Sequence, residues 1–123
     1  MILDNHFHAV VSSEQLPRVM ADLKKFTAGK LIAQLKAERR TWLLDLLAAR
    51  NAEHKTSSTY QLWQEGYHPR AIYSDEVMLQ KIHYVHSNPV RRGWVASPEH
   101  WRYGSAHEFL PGALPLLRCD RWC

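Results

Sequence analysis

Residues 74–94, SDEVMLQKIHYVHSNPVRRGW, carry the clearest structural signals in this chain. Apolar residues recur there at the three- and four-residue spacing of an α-helix, and either Ser74 or Asp75 can cap the first turn. Because proline disfavours helical geometry in the residue before it, we expect the helix to end at Asn88-Pro89. The stretch therefore predicts one amphipathic helix, with apolar positions at Val77, Met78, Ile82 and Val85.

Towards the N-terminus, the same spacing predicts two further helices, from about Glu14 to Glu38 and from Thr41 to about Ala52. The polar face of the first one is basic. It is either a solvated helix face or part of an electrostatic footprint for a polyanion. The basic residues are Lys24, Lys25, Lys30, Lys36, Arg39 and Arg40.

Residues 2–11 predict a β-strand, since β-branched and aromatic residues dominate and two serines follow. Side chains of a strand alternate between its faces, so His6 and His8 share one face while Phe7 points to the core. Residues 60–74 are aromatic and contain Gly66 and Pro69, which indicates strand segments interrupted by a turn or bulge. With the helices, these strands predict an α+β fold.

Length, composition, net charge and cysteine content limit the classes of protein to which this sequence can belong. A length of 123 residues fits one domain, and 46% hydrophobic with 23% charged residues is ordinary for a globular protein. No apolar run is long enough to cross a bilayer and no signal-peptide layout is present, so we expect a cytoplasmic protein without membrane contact. The net charge of +4 permits a polyanionic partner. Cys119 and Cys123 are interpreted as tail thiols, because a lone C-x3-C pair is a weak zinc signal.

Four residues could form a chemical site. His6 and His8 on one strand face could share a divalent ion, although a chance pair is common in a chain with eight histidines. Tyr84 and Asn88 lie one helical turn apart, so a phenol that attacks phosphorus and an amide oxygen that binds metal would share a face. The alternative for Tyr84 is a half-buried helix tyrosine. Without further information, both interpretations of these residues stay open.

Four segments in order resemble a known family. The segments are DNHFHAVV, LWQEGYHPRAI, HYVHSNPVRRGWV and SPEHWRYGSAHEF. They are similar to the single-tyrosine HUH transposases, in particular to the branch of REP-associated tyrosine transposases. The resemblance covers nearly the whole chain, and the ordered series is more specific than any one segment.

The resemblance implies a fold, a reaction and a cofactor. Residues 1–123 would be a single HUH transposase domain with a ferredoxin-like or RRM-like antiparallel sheet packed against helices. The family cleaves and rejoins single-stranded DNA, often at hairpin-forming ends. Tyr84 would form a 5′-phosphotyrosine intermediate, while His6, His8 and Asn88 would bind Mg²⁺ or Mn²⁺. Rejoining would need no ATP, which agrees with the absence of a phosphate-binding P-loop motif from the sequence.

Further residues are candidates for binding DNA. Basic side chains contact phosphates and position DNA without reading its sequence. For Lys81 the alternative is a solvated helix lysine. His68 is included because the family often has a polar residue in that stretch. The predicted DNA-binding residues are Lys24, Lys25, Lys81, Arg91, Arg92 and His68.

The sequence departs from the family at its N-terminus. Family members usually carry a first strand, a helix and a further strand before the HUH strand, whereas Met1 lies almost on that strand here. We expect truncation or decay of the gene rather than a strand borrowed from another chain. All four candidate site residues are encoded, so the expected ancestral activity is DNA strand transfer, and whether this chain keeps it depends on how the remaining scaffold positions them. The alternatives to a transposase are a non-catalytic module that binds single-stranded or hairpin DNA and an unrelated metal-dependent nuclease. The expected assembly is a monomer or homodimer.

Overall fold

The computed structural model describes residues 1–52, 58–64, 66 and 68–120, and helices account for 52% of these residues. Within these ranges, three α-helices form: Leu16–Ala37 (α1), Thr41–Ala52 (α2) and Asp75–Arg91 (α3). Two short 3₁₀ helices follow, Pro98–His100 and Ser105–Phe109. The helices predicted from apolar spacing are confirmed, with bounds that differ by a few residues.

The predicted α+β fold, with its ferredoxin-like or RRM-like antiparallel sheet, is wrong. Among the described residues no sheet forms, and strand geometry is confined to an isolated antiparallel bridge between Ile2 and Phe7. The N-terminal segment folds back on itself instead, since the Leu3 amide donates to the His6 carbonyl at 2.9 Å and the His8 amide to the Met1 carbonyl at 3.0 Å. Backbone groups that find partners locally need no neighbouring strand, and the described residues contain none.

The strand segments predicted for residues 60–74 are also absent from the part of that range that the structure describes. Glu65 and Tyr67 lie outside the described residues, as does Cys123 at the C-terminus. The described residues of the range form bends and irregular backbone, with the glycine of the predicted turn, Gly66, at a φ of 68°. The aromatic composition was therefore a poor guide to strand structure, because β-propensity depends on a sheet to pack into.

The chain divides into two compact units, one formed by Met1–Val11 with Arg70–Cys123 and the other by Ser12–Pro69. The assignment of residues 1–123 to one domain stays a prediction. In the second unit α1 packs against α2, and Leu47 of α2 is buried. The indole nitrogen of Trp63 donates to Thr27 Oγ1 of α1 at 2.9 Å, which ties the segment after α2 back to α1.

The turn between α1 and α2 is a Schellman motif with an unusual residue at its centre. The Arg39 amide donates to the Lys36 carbonyl at 3.1 Å, and the Arg40 amide donates to the Leu35 carbonyl at 2.9 Å. This pattern needs a left-handed residue after the helix, and Arg39 adopts it with a φ of 54°. Glycine is usual at such a position because a Cβ makes the conformation strained.

In the first unit, α3 begins as predicted and ends later than predicted. Ser74 caps it, with its hydroxyl accepting from the Val77 amide at 3.3 Å. The predicted stop at Asn88-Pro89 is wrong, because Pro89 lies inside the helix, fully buried, and the helix continues to Arg91. Proline removes only one backbone hydrogen bond, and near the end of a helix the packing of a buried ring can offset that loss.

A second Schellman motif ends α3. The Gly93 amide donates to the Val90 carbonyl at 2.9 Å and the Trp94 amide to the Pro89 carbonyl at 3.0 Å. Gly93 supplies the left-handed conformation, with a φ of 72°. The motif turns the chain sharply and fixes the position of the indole that follows it.

Hydrogen bonds attach the N-terminal segment to the segment after α3. The Ile2 amide donates to the Tyr103 carbonyl at 2.9 Å, and the indole nitrogen of Trp101 donates to the Ile2 carbonyl at 3.0 Å. Arg92 at the end of α3 forms an ion pair with Asp4 at 3.0 Å. Leu3 is buried beside them. These contacts hold the two histidines of the segment next to α3.

Candidate functional site

His6 and His8 meet through the local fold of the N-terminal segment. Their ring centroids lie 5.0 Å apart in an edge-to-face arrangement. Strand alternation, from which their proximity was predicted, is not the cause, since no strand forms there. The Nδ1 of His6 lies 2.5 Å from Asn5 Oδ1. An amide oxygen only accepts, so this contact favours the tautomer with the proton on Nδ1, in which the Nε2 lone pair can bind a ligand.

Tyr84 lies beside this pair on an exposed face of α3. Its ring centroid is 5.6 Å from that of His8, in an edge-to-face contact, and the side chain is 46% exposed. On the other side, the guanidinium carbon of Arg91 lies 4.6 Å from the ring centroid. The phenol is therefore accessible to a large substrate and has a cation against its ring.

Asn88 is 7% exposed and uses its amide within α3. Its Nδ2 donates to the Tyr84 carbonyl at 2.9 Å, which fixes the direction of the side chain. Its Oδ1 accepts from Arg91 Nη2 at 3.3 Å. The oxygen predicted to bind a metal is therefore occupied by a guanidinium in this structure, and its role as a ligand stays a prediction.

Positively charged groups surround His8. Desolvation by burial lowers the pKa of His8 below its usual value, and His6, the N-terminal ammonium, Arg91 and Arg92 lower it further. A lowered pKa keeps His8 neutral, the form in which imidazole binds a metal or accepts a proton. The same cations attract a phosphate, since clustered charges of one sign raise the local concentration of the opposite ion.

The donor set fits a metal ion only in part. Imidazole nitrogens suit transition metals, and His6 Nε2 and neutral His8 provide two of them, whereas Mg²⁺ prefers oxygen ligands. Within the described residues, no group of three His, Cys, Asp or Glu side chains is placed to bind a metal ion. Asp4, the carboxylate nearest in sequence to the pair, is held by Arg92. The predicted Mg²⁺ or Mn²⁺ site stays a prediction that rests on the two histidines.

The predicted DNA-binding residues fall into both units. Arg91 contacts Tyr84 and Asn88, and Arg92 contacts Asp4, with its guanidinium carbon 5.0 Å from the Trp94 ring centroid. The remaining residues lie elsewhere. Lys81 is half-buried on α3, Lys25 is exposed on α1, His68 is exposed before Pro69, and Lys24 donates to the carbonyls of Gln64 and Gly66.

Sequence reasoning missed two partners of the site. Asn5 orients His6, and Arg91 holds the oxygen of Asn88. The second pair was open to prediction, because residues three positions apart on a helix are neighbours. Asn5 gave no such signal, since adjacent side chains of the expected strand would have pointed to opposite faces.

Comparison with known proteins identifies no relative. No protein family, no curated protein and no solved structure matches this chain. The resemblance to HUH transposases therefore stays a prediction from the four sequence segments. Among the described residues, no helix has both the length and the apolar character that a bilayer span requires.

Proposed function

We propose that this chain cleaves and rejoins single-stranded DNA through Tyr84, in the manner that the resemblance to single-tyrosine HUH transposases implies. One observation supports the proposal above others, namely the contact between Tyr84 and the His6–His8 pair. These residues come from distant parts of the sequence, and their side chains lie together on one accessible surface. We place the activity in the cytoplasm, with single-stranded or hairpin DNA as the partner of a monomer or homodimer.

The reaction transfers a phosphoryl group to the phenol. Tyr84 Oη forms a bond to phosphorus while the bond from phosphorus to the 3′ oxygen breaks, leaving a 5′-phosphotyrosine and a 3′-hydroxyl. The phenolic proton passes to solvent water as the new bond forms, and the departing 3′ oxygen takes up a proton from water. Arg91 stabilises the negative charge of the phosphate beside Tyr84, and neutral His8 is positioned at the edge of the phenol ring.

A divalent metal would be held by His6 Nε2 and by His8. When bound, such an ion polarises the phosphate and lowers the barrier to attack by a weak nucleophile. The chain itself contributes orientation, since Asn5 fixes the His6 ring and the Asn88 amide binds the backbone at Tyr84.

The test is the formation of a covalent adduct. We would incubate the protein with 5′- and 3′-labelled single-stranded hairpin DNA and MnCl₂, then separate the products under denaturing conditions. Wild-type protein is expected to retain label covalently, and Tyr84→Phe is expected to lose all of the adduct because it lacks the attacking oxygen. Tyr73→Phe is the matched control, since Tyr73 is an exposed tyrosine of the same unit.

Three outcomes separate the alternatives. No adduct with any hairpin at any metal concentration would reject the proposal. Cleaved DNA without attached protein would favour a metal-dependent nuclease in which the histidines activate water. Adduct formed equally by Tyr84→Phe would assign the nucleophile to another residue.

A non-catalytic module that binds single-stranded DNA is the second candidate. The observation that favours it is the hydrogen bond between Arg91 and Asn88 Oδ1, which places a cation where the third metal ligand was predicted. This candidate predicts salt-sensitive DNA binding that survives both Tyr84→Phe and removal of divalent metal by EDTA.

A further inference from the structure

An aromatic pocket lies in the same unit as the Tyr84 site. It is a shallow pocket that opens widely to solvent, with a volume of about 480 Å³ and a mostly apolar lining. Its lining residues are Ile2, Leu3, Asp4, Trp94, Trp101 and Tyr103. The function proposed above uses none of them.

The pocket is fixed by backbone hydrogen bonds. Trp101 is held by its bond to the Ile2 carbonyl, and Ile2 in turn donates to the Tyr103 carbonyl. The ring centroids of Trp94 and Trp101 lie 5.1 Å apart, with the rings tilted by 33°. The ring centroids of Trp101 and Tyr103 lie 5.8 Å apart, in an edge-to-face arrangement. Rings that are already ordered lose little conformational entropy when a ligand binds.

Two of the rings are available to a ligand. Trp94 is 38% exposed and Tyr103 is 52% exposed. An exposed indole beside an apolar cavity suits a flat aromatic molecule, since offset and edge-to-face contacts with a further ring are favourable. Nucleobases stack on such side chains whatever their sequence, because every base has a π-face.

The charges around the pocket match a nucleotide. Among the described residues, Asp4 accepts hydrogen bonds from Arg92 and from the Asn5 backbone N–H through Oδ1, and Oδ2 can accept from an exocyclic amino group. A carboxylate accepts from the N4 amino group of cytosine, whereas thymine has a carbonyl at that position. Arg92 lies over Trp94 beside the pocket and can reach a phosphate attached to a base that contacts the exposed part of the indole.

The pocket and the candidate cleavage site adjoin the same helix end. Arg91 lies against Tyr84 and Arg92 lies against Trp94, and these arginines are consecutive at the end of α3. Asp4 and His6 are likewise two positions apart in one segment. Consecutive Cα atoms are about 3.8 Å apart, so the arginines that contact the two sites start from adjacent backbone positions.

We propose that this pocket binds a nucleobase of single-stranded DNA, with cytosine preferred over thymine, next to the phosphate presented to Tyr84. The inference rests on the proposed function for the identity of the polymer. It adds a base-binding site and a preference that the proposed strand transfer does not require.

The test compares oligonucleotides of equal charge. Fluorescence anisotropy would measure the affinity of the full chain for labelled 12-nucleotide oligodeoxycytidylate, oligothymidylate and an abasic strand with the same phosphates, at one salt concentration. We expect the cytosine strand to bind roughly tenfold more tightly than the abasic strand, from one stacked base. Trp94→Ala is expected to remove this difference and Trp94→Phe to retain most of it.

Two variants control the measurement. Trp42→Ala removes an indole that is 65% exposed on α2, and it is expected to leave the difference between cytosine and abasic strands intact. Asp4→Asn is expected to reduce the preference for cytosine over thymine while stacking persists. Circular dichroism of each variant checks that the helices remain folded.

The outcomes separate this inference from the proposed function. Equal binding of abasic and cytosine strands by wild type, or an equal effect of Trp94→Ala and Trp42→Ala, would overturn the pocket even if the Tyr84 adduct forms. Base-dependent binding that Trp94→Ala abolishes would support the pocket even if no adduct forms. Concentration-dependent self-association relieved by Trp94→Ala, without base dependence, would assign the pocket to a second copy of the chain and overturn the inference.

Discussion

Arg91 is the residue at which the proposed phosphate binding and the proposed metal binding would oppose each other. Its guanidinium lies against the Tyr84 ring and donates to Asn88 Oδ1. A cation at this position attracts a phosphate and repels a divalent ion, and it occupies the oxygen that the ion would use. The two functions assigned to the site therefore respond in opposite directions to the loss of this side chain.

We expect Arg91→Met to bind Mn²⁺ more tightly and single-stranded DNA more weakly, each by about tenfold, because the repulsion and the phosphate contact are removed together. Methionine keeps the length and apolar stem of the side chain. Calorimetry with Mn²⁺ and anisotropy with DNA give the two affinities. Arg102→Met, which removes an exposed arginine of the same unit, is the control. Unchanged Mn²⁺ affinity in Arg91→Met would show that Asn88 takes no part in metal binding.

For single residues, the sequence predicted that His6, His8 and Tyr84 would lie together, but not the hydrogen bonds that orient the side chains around them. The proximity of His6, His8 and Tyr84 agrees with the family motifs. The orientation of Asn88 depends on which of several hydrogen bonds its amide makes, and a residue pattern does not decide between a metal and a neighbouring arginine. The contacts of Lys24 with Gln64 and Gly66 join residues far apart in sequence, which no local pattern reveals.

The clearest backbone strain lies just after the C-terminal end of α1. Arg39 adopts a left-handed conformation that costs a residue with a Cβ roughly 1–2 kcal/mol. We expect Arg39→Gly to raise the free energy of unfolding by about 1 kcal/mol, since glycine removes the strain but has greater freedom in the unfolded chain. Urea denaturation measures this difference.

Arg39→Ala is the matched control for that prediction. It removes the same charge and keeps the Cβ, so its free energy of unfolding should stay close to that of wild type. An equal increase in the free energy of unfolding for Arg39→Gly and Arg39→Ala would show that the loss of charge, not the backbone conformation, causes the effect.

A histidine links α3 to the second 3₁₀ helix. His86 Nε2 lies 2.8 Å from Ser105 Oγ, and burial lowers the pKa of His86, with the N-terminal ammonium and His83 lowering it further and Glu99 acting against them. Because the folded pKa lies below the unfolded value of about 6.5, the unfolded state binds more protons as the pH falls. This contribution to stability is present above pH 6.5 and is lost on acidification through the folded pKa.

We therefore expect His86→Gln to flatten the dependence of the thermal midpoint on pH between pH 7 and 5.5, because glutamine can bond to Ser105 without titrating. His68→Gln, at an exposed position, should retain the wild-type dependence. A slope equal to that of wild type in His86→Gln would mean that other groups cause the loss of stability in acid.

At the scale of elements, helices were predictable and strands were not. The spacing of apolar residues and the Ser74 cap are local, so α1, α2 and α3 follow from the sequence. A strand depends on a partner that lies outside its own residues. The described hydrogen bonds of the backbone of residues 2–8 are made within the N-terminal segment, with Tyr103 and with the Trp101 side chain. The extension of α3 past Pro89 escaped prediction because it depends on the burial of that ring.

Across the whole molecule, positive charge is spread over both units. Two neighbouring lysines of α1 show that a positive side chain can either stabilise the fold or remain exposed for a partner. Lys24 donates to backbone carbonyls, whereas Lys25 is exposed. We expect Lys25→Ala to reduce the slope of log affinity against log salt by about 0.7, the value for one phosphate contact on single-stranded DNA. Filter binding of a single-stranded oligonucleotide from 50 to 300 mM NaCl measures this slope.

Lys24→Ala is the paired variant. It should leave the slope unchanged and lower the free energy of unfolding, because the carbonyls of Gln64 and Gly66 lose their donor. An equal change of slope in both variants would show that the ammonium of Lys24 leaves these carbonyls when DNA binds.

The indoles of Trp94, which follows α3, and of Trp101, which follows the first 3₁₀ helix, also give the protein an intrinsic optical signal. Trp94 and Trp101 lie 5.1 Å apart at a tilt of 33°, close enough for their excited states to couple. Such coupling produces paired circular-dichroism bands of opposite sign whose amplitude depends on the angle between the rings. A molecule that enters beside Trp94 and rotates it would change these bands, so the contents of the cavity can be followed without a label.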